Sequence, residues 1–371
     1  MICRALSKSV QDYILLLFST GCSQISLFSN YRPIDRLLLV HTIGFDAHKD
    51  GLSLSVCAGE QEEQGIVRLQ CSGANISDCM ETLQNFSGKT ELYFAHTRFV
   101  LVGEEYARQG LGDVMQYLEQ STQLRSDLPL FVVKGETASK AVMQSGDEKQ
   151  GIHDILEAVL RDCEARGMGF PFTCGDIGSY SAEYGSALAC ALTVTPTKDI
   201  DPKAEDDRIT PITAGYGIID YGALVGFLST EASRGVNLLI NESGTGPMTL
   251  HLNGQPVSLR IDQCKIELQP TVTNRKTISN LKVDAEIKIN VAETREGHHI
   301  DQSHLEQELS NTIRQWIEEL LLAMRSSECD FLGLGPRIVM EYPSVEWTPR
   351  QLQALPMEAQ VQCRIAKEDT P

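Results

Sequence analysis

The chain has 371 residues, 42% of them hydrophobic and 22% charged, with 50 Asp and Glu against 32 Lys and Arg and a formal net charge of −18. That length calls for more than one domain core, and that apolar content is too high for disorder. No basic stripe interrupts the acidity, which excludes a nucleic-acid partner on electrostatic grounds, and no apolar run reaches the roughly eighteen residues that a membrane-spanning helix needs.

The chain opens MICRALSKSVQDYILLLFSTGCSQ. Arg4 and Lys8 give a positive start, Tyr13 to Phe18 a short apolar stretch, and Ser19, Thr20 and Gly21 a small-residue approach to Cys22. This is the order of an exported lipoprotein, in which the Cys22 thiol carries diacylglycerol and cleavage follows Gly21. Small residues there suit a peptidase that must admit extended backbone, and two acyl chains anchor stably where one binds marginally. The apolar run is short, Asp12 sits at its edge, and Ser19 stands where an aliphatic residue is usual. The alternative is an amphipathic helix ending at Gly21, with Cys22 an ordinary thiol. Residues 1–22 are assigned to a lipoprotein-type signal segment with lipid attachment at Cys22. Of the eleven cysteines, Cys3 and Cys22 fall in this leader. The rest form no CxxC and no zinc spacing, and they read as buried reduced thiols packing as small hydrophobes.

After the leader, RLLLVHTIGFDAHKDGLSLSV predicts two strands joined at His48 to Gly51. Residues 76 to 87 predict a helix with Ser77 as its N-cap, and 91 to 103 one apolar strand. A helical stretch broken near Gly110 and Gly112 follows, then a buried strand at 128 to 136 and helical TASKAVMQSG, which together make a βαβ unit. Residues 151 to 166 place Ile152, Ile155, Leu156, Val159, Leu160 and Cys163 on one helical face. The polar, proline-bracketed segment 196–212 is assigned as a linker between an N-terminal domain, 23–195, and a C-terminal domain, 213–371. A separate middle domain within about 170–265 is the alternative division.

Beyond it, Asp220-Tyr221-Gly222 marks a hairpin. VNLLIN, MTLHLNG, PVSLRI and CKIELQP read as short strands. In NLKVDAEIKINVAE, Leu281, Val283, Ala285, Ile287, Ile289 and Val291 alternate strictly with polar residues, the mark of a half-buried strand. A long helix follows, with Ser303 and Glu306 as a capping box and Leu305, Leu309, Ile313, Trp316, Ile317, Leu320, Leu321 and Met324 on one face. PRIVMEY and MEAQVQCRIA read as closing strands. The fold class is therefore α+β in a mixed α/β chain: an N-terminal part with a βαβ unit and a C-terminal antiparallel sheet backed by one long helix.

Candidate chemistry is sparse. His298, His299 and His304 lack a further ligand at short spacing and read as a solvated loop, so no metal is expected. Consecutive Glu104 and Glu105 diverge by about 100° on a helix and suit its positive N-terminus better than acid–base work. The strings GYGIIDYG, SGTGP and LGLGP match no phosphate-loop pattern and read as turns. Ser186 lacks the second glycine of a nucleophile elbow, and YSAEYGSALACAL reads as a small-residue buried helix instead. No catalytic residue and no cofactor is assigned.

Several stretches, taken in order, resemble the C subunit of spore germinant receptors, the Ger(x)C family of lipoproteins. They are the opening strand with Ile43, Gly44 and Asp46, and RFVLVGEEYARQGLGDVMQYLEQSTQLRSDLPLFVVKG at 98 to 135. YGALVGFLSTEASRGVNLL, the run from ELQPT through the alternating strand, the long helix and DFLGLG at Asp330 to Gly335 complete the match, which spans about residues 33 to 366. The resemblance implies a non-enzymatic subunit tethered by lipid to the outer face of the inner spore membrane. There it assembles with a multi-spanning A subunit and a transporter-like B subunit to trigger germination. The family's fold is mixed α/β without catalytic activity, and no ligand-contact residue carries over. The competing reading is an independent extracytoplasmic solute-binding lipoprotein.

Overall fold

A computed structural model describes residues 36–59, 65–87, 91–166, 169–202, 208–240, 247–252, 255–273, 277–293 and 301–365. Cys22 with the rest of the leader, and His298 and His299, lie outside the described residues.

The turn residues between His48 and Gly51 do close a hairpin, β1 (Leu37–His48) with β2 (Gly51–Gly59), and β3 (Val67–Gly73) adds to β2. Helix α1 (Ile76–Phe86) is capped by Asn75, not Ser77: the Asn75 side chain accepts from the Asp78 N–H at 2.9 Å. The apolar stretch 91–103 is two strands, β4 (Glu91–Tyr93) and β5 (Phe99–Gly103), separated by a 3-10 turn at Phe94–His96. Both run parallel to β1, each against a different part of it.

The expected βαβ unit is present. It comprises β5, α2 (Glu104–Gln109), α3 (Gly112–Gln120) and β6 (Leu130–Val133), followed by α4 (Ala138–Gln144); α5 (Ile152–Arg166), α6 (Cys174–Tyr184) and β7 (Ser186–Pro196) come next. With β8 (Ile209–Asp220) and β9 (Ala223–Phe227) they complete a nine-stranded sheet in the order β3-β2-β1-β5-β6-β7-β8-β9, with β4 beside β1. Strands β1, β5, β6 and β7 are parallel and buried on both faces. In β5, Val100 and Val102 share a core with Tyr106 of α2, Leu111 at the cap of α3 and Val114 of α3. Phe99 and Leu101 share another with Val142 of α4 and Ile152 and Leu156 of α5. Double-sided burial is why these strands are unbroken apolar runs.

The stretch 180–192 is not one helix. Gly185, left-handed at φ 77, ends α6, and Ser186 begins β7. Segment 196–212 connects two strands of the same sheet, since β7 and β8 pair antiparallel from Ser186 and Asp220 to Pro196 and Ile209. At the next turn Tyr221 and Gly222 have φ 44 and 82, as a two-residue type I′ hairpin requires. VNLLIN lies largely in a helix, α7 (Thr230–Ile240), rather than a strand. Helix α7 is buried on most faces, including Ala232, Val236 and Leu238, so its sequence shows little helical period.

The C-terminal sheet has the order β10-β11-β12-β13, from β10 (Pro247–Leu252), β11 (Gln255–Thr273), β12 (Thr277–Glu293) and β13 (Met357–Ile365). PVSLRI and CKIELQP are halves of the single 19-residue β11. Leu281, Val283, Ala285, Ile287 and Ile289 of β12 are all buried, as their alternation predicts. Helix α8 (Gln302–Ser327) buries the whole predicted face from Leu305 to Met324. Its cap is Asp301, which accepts from the Ser303 and His304 amides, and Glu306 instead accepts from the Ile365 N–H at 2.9 Å. The sheet is mixed rather than antiparallel, because β13 runs parallel to β12. Helix α8 carries the chain back to the start of β12, and a crossover of that kind makes a parallel neighbour. PRIVMEY lies mostly in a helix, α9 (Leu334–Glu341), not a strand.

Candidate functional site

In open α/β sheets, ligands commonly lodge beyond the carboxyl ends of parallel strands, against helix N-termini whose free N–H groups attract anions. Here that position is filled by the chain's own carboxylates. Asp46, near the end of β1 and 4% exposed, accepts from the Ala138 N–H on Oδ1 and the Ser139 N–H on Oδ2, both at 2.7 Å. The Thr137 hydroxyl takes the next amide, Lys140, at 3.1 Å, so the first three donors of α4 are all engaged. Burial raises the Asp46 carboxyl above its ordinary range, against the pull of the two amides. Gly103 is required beside it, since a Cβ there would overlap Asp46 Oδ1.

Glu104 does the same for the neighbouring turn. Its Oε2 accepts from the Gly135 N–H at 2.7 Å, where Gly135 is left-handed at φ 74, and its Oε1 takes Arg108. Burial opposes its ionisation, but Gly135, Arg108 and Lys134 outweigh it and hold the carboxyl below the usual range. Lys134 in turn places its ammonium 4.9 Å from the centre of the Phe227 ring on β9. The Gly-Glu-Glu and Lys-Gly motifs, separated by a whole helical crossover, thus form one junction. Glu105 is exposed in the first turn of α2 and takes no part in it.

In the C-terminal half Asp330, 1% exposed, accepts from the Leu334 and Gly335 amides at 2.7 Å each and starts α9. Burial raises its carboxyl as well. Gly333 is left-handed at φ 63 and faces the Tyr184 ring of α6, and Gly335 lies against the Trp347 indole with no room for a Cβ. The DFLGLG motif thus adds a contact between the two halves beyond the β7–β8 pairing.

At that contact lies a cleft of about 740 Å³. Phe170, Phe172, Tyr180 and Tyr184 form one wall, Phe331 and Leu334 the other, with Arg337 among the lining side chains. Phe172 meets Phe170 and Tyr180 edge-on, and Tyr180 stacks on Tyr184 with centroids 5.6 Å apart. Beneath it the Tyr216 hydroxyl, fully buried, accepts from the Phe170 N–H at 2.5 Å and donates to Asn237 Oδ1 on α7. Asp176 also lines the cleft but is held in the capping box of α6, accepting from the Thr173 N–H and hydroxyl at 2.9 and 2.7 Å. Aromatic faces with one exposed guanidinium suit contact with an apolar or amphipathic partner. They supply no nucleophile paired with a base.

The residues weighed for chemistry in the sequence are scattered. Ser186, 1% exposed, begins β7 inside the sheet opposite Asp220. His304 is exposed in the first turn of α8. Among the described residues no three metal-ligating side chains converge, and all nine described cysteines are buried thiols outside any disulfide. Sequence reasoning missed one titratable pair. His41 of β1 and His153 of α5 stack with centroids 4.3 Å apart. Burial, followed by His153 and Arg98, lowers His41 to about 4, and burial lowers His153 as well. No periodicity links two histidines so far apart, and only the fold brings them together.

The family described as "Spore germination protein N-terminal domain" matches residues 30–194, and the one described as "Spore germination B3/ GerAC like, C-terminal" matches residues 214–368. Spore germination protein B3 of Bacillus subtilis (strain 168) is 22% identical over 264 residues, covering 68% of this chain and 67% of that protein. The crystal structure of the GerBC protein has the same fold, with a TM-score of 0.55 and 18% identity over 88% of this chain and 97% of its own. Both halves of the chain, the motif order and the fold agree: this protein belongs to the Ger(x)C family of spore germination proteins.

Proposed function

We propose that this chain is the C subunit of a nutrient germinant receptor, a non-enzymatic component tethered by lipid on Cys22 to the outer face of the inner spore membrane. In this reading it assembles with a multi-spanning A subunit and a transporter-like B subunit. The observation that carries it is the ordered match of both family halves along residues 30–194 and 214–368. The motif carboxylates add to it. Asp46, Glu104 and Asp330 are each spent on backbone amides of this chain, which leaves them unfit for acid–base work. The division at 196–212 belongs to the proposal as the point where one family module gives way to the next. The solute-binding alternative calls for two similar parallel-sheet lobes, whereas the second sheet here is four-stranded and mixed.

The test is purification of the tagged chain from detergent-solubilised spore membranes. A and B receptor subunits should accompany it in constant ratio. Recovery of the chain alone under conditions that leave other receptor complexes intact would end the assignment.

A further inference from the structure

Cys163 of α5 and Cys190 of β7 are 1% and 0% exposed and share one core. Their thiols hydrogen-bond to each other. Facing both is Gly169, where a Cβ would stand 3.3 Å from the Cys190 sulfur and 3.5 Å from that of Cys163. Gly169 has φ +144, a conformation side chains rarely adopt, so the chain leaves the sulfurs to each other. Three other thiols have other partners. Cys57 meets the Ile152 amide, Cys329 meets Asp220, and Cys363 meets Ser310. Cys71 and Cys79 also hydrogen-bond to each other, and each in addition reaches a carbonyl oxygen, at 3.2 and 3.8 Å.

We infer that Cys163 and Cys190 are a disulfide-forming pair that clamps α5 to β7 beneath the cleft. The oxidant is a protein or small-molecule disulfide. One cysteine thiolate attacks that disulfide, forms a mixed disulfide and releases one thiol. The second thiolate then attacks the protein-bound sulfur and releases the other thiol. Two protein thiols and one disulfide thus become one protein disulfide and two thiols, with no other reactant. The bond would fix the backbone just before Phe170, whose amide holds Tyr216 and, through it, Asn237 of α7. The hydrogen bond with Cys163, followed by burial, raises the Cys190 thiol and makes it a poor nucleophile once folded, so exchange belongs to the folding chain.

The chain is refolded from denaturant in a buffer of reduced and oxidised glutathione, alkylated, digested with trypsin and analysed by mass spectrometry. Cleavage after Arg161, Arg166 and Lys198 places Cys163 in peptide 162–166 and Cys190 in peptide 167–198 with Cys174. The expected product is these two peptides joined through Cys190, separating on reduction and absent from Cys163→Ala. Cys190→Ala serves as the second variant where the first folds poorly. Alkylated Cys163 and Cys190 after oxidative refolding, or linkage through Cys174, would overturn the inference. Its bearing on the cell rests on the proposed place outside the cytosol, and a separate arm tests that. Chain trapped with alkylating agent at lysis should carry the same link. A link on refolding with free thiols in the trapped chain keeps the pairing and counts against the proposed location.

Discussion

Replacing Asp46 tests whether the isoleucine-glycine-aspartate motif is structural. Asp46→Ala strands two amides, Ala138 and Ser139, in a site only 4% exposed. A buried backbone donor without a partner costs about 1–3 kcal/mol, and bonds to a charged acceptor lie at the upper end of that range. Loss of both should remove about 3–5 kcal/mol, a large share of the roughly 5–15 kcal/mol by which a domain is stable. Asp46→Asn keeps the shape but has one acceptor oxygen, so it should lose about half as much. Urea unfolding followed by far-ultraviolet circular dichroism gives both values, because Trp316 and Trp347, the chain's two tryptophans, report only on the C-terminal half. Amide hydrogen exchange supplies the local readout, with Ala138 and Ser139 losing protection first. An Asp46→Ala protein within about 1 kcal/mol of wild type, with those amides still protected, would refute the capping role.

Three further outcomes follow from the same contacts. Gly335→Ala drives a methyl group into the Trp347 indole and should destabilise the C-terminal half by several kcal/mol, at least the roughly 1–3 kcal/mol of ordinary overpacking, seen as a shifted tryptophan emission at lower urea. Tyr216→Phe leaves the Phe170 amide and the Asn237 side chain without their partner, which should lower stability by about 1–3 kcal/mol in the same unfolding assay. His41 is held near 4 in the folded chain against 6.5 unfolded, so the unfolded state binds more protons between those values. Stability should therefore fall as pH drops from 6.5 towards 4, and His41→Gln should flatten that slope in thermal melts.

Strong periodicity was readable without coordinates. The alternation of β12 and the heptad-like face of α8 each settle one element by themselves, since a one-residue slip would turn every side chain the wrong way. Short apolar runs were not readable. VNLLIN and PRIVMEY have strand-like composition, yet α7 is wedged between the sheet and α8, and α9 is started by a cap four residues upstream. Helix starts failed for a related reason. Asn75 and Asp301 cap α1 and α8 two residues upstream of Ser77 and Ser303, a choice made by loop geometry rather than composition. The motif residues Asp46, Glu104 and Asp330 stood out in the sequence, but their partners lie up to 93 positions away. The cleft draws its walls from α6 and the residues before it, the end of α7, the loop after α8 and the start of α9, so no local pattern could announce it.

Lipid tethering through a single thiol is open to one direct measurement: membrane fractionation of forespores carrying wild-type or Cys22→Ala chain, with the A and B subunits deleted so that protein contacts cannot hold it. Wild-type chain should sediment with the inner membrane and its first peptide should bear diacylglycerol, while the variant appears in the soluble fraction. A variant that stays with the membrane as fully as wild type would contradict the tether.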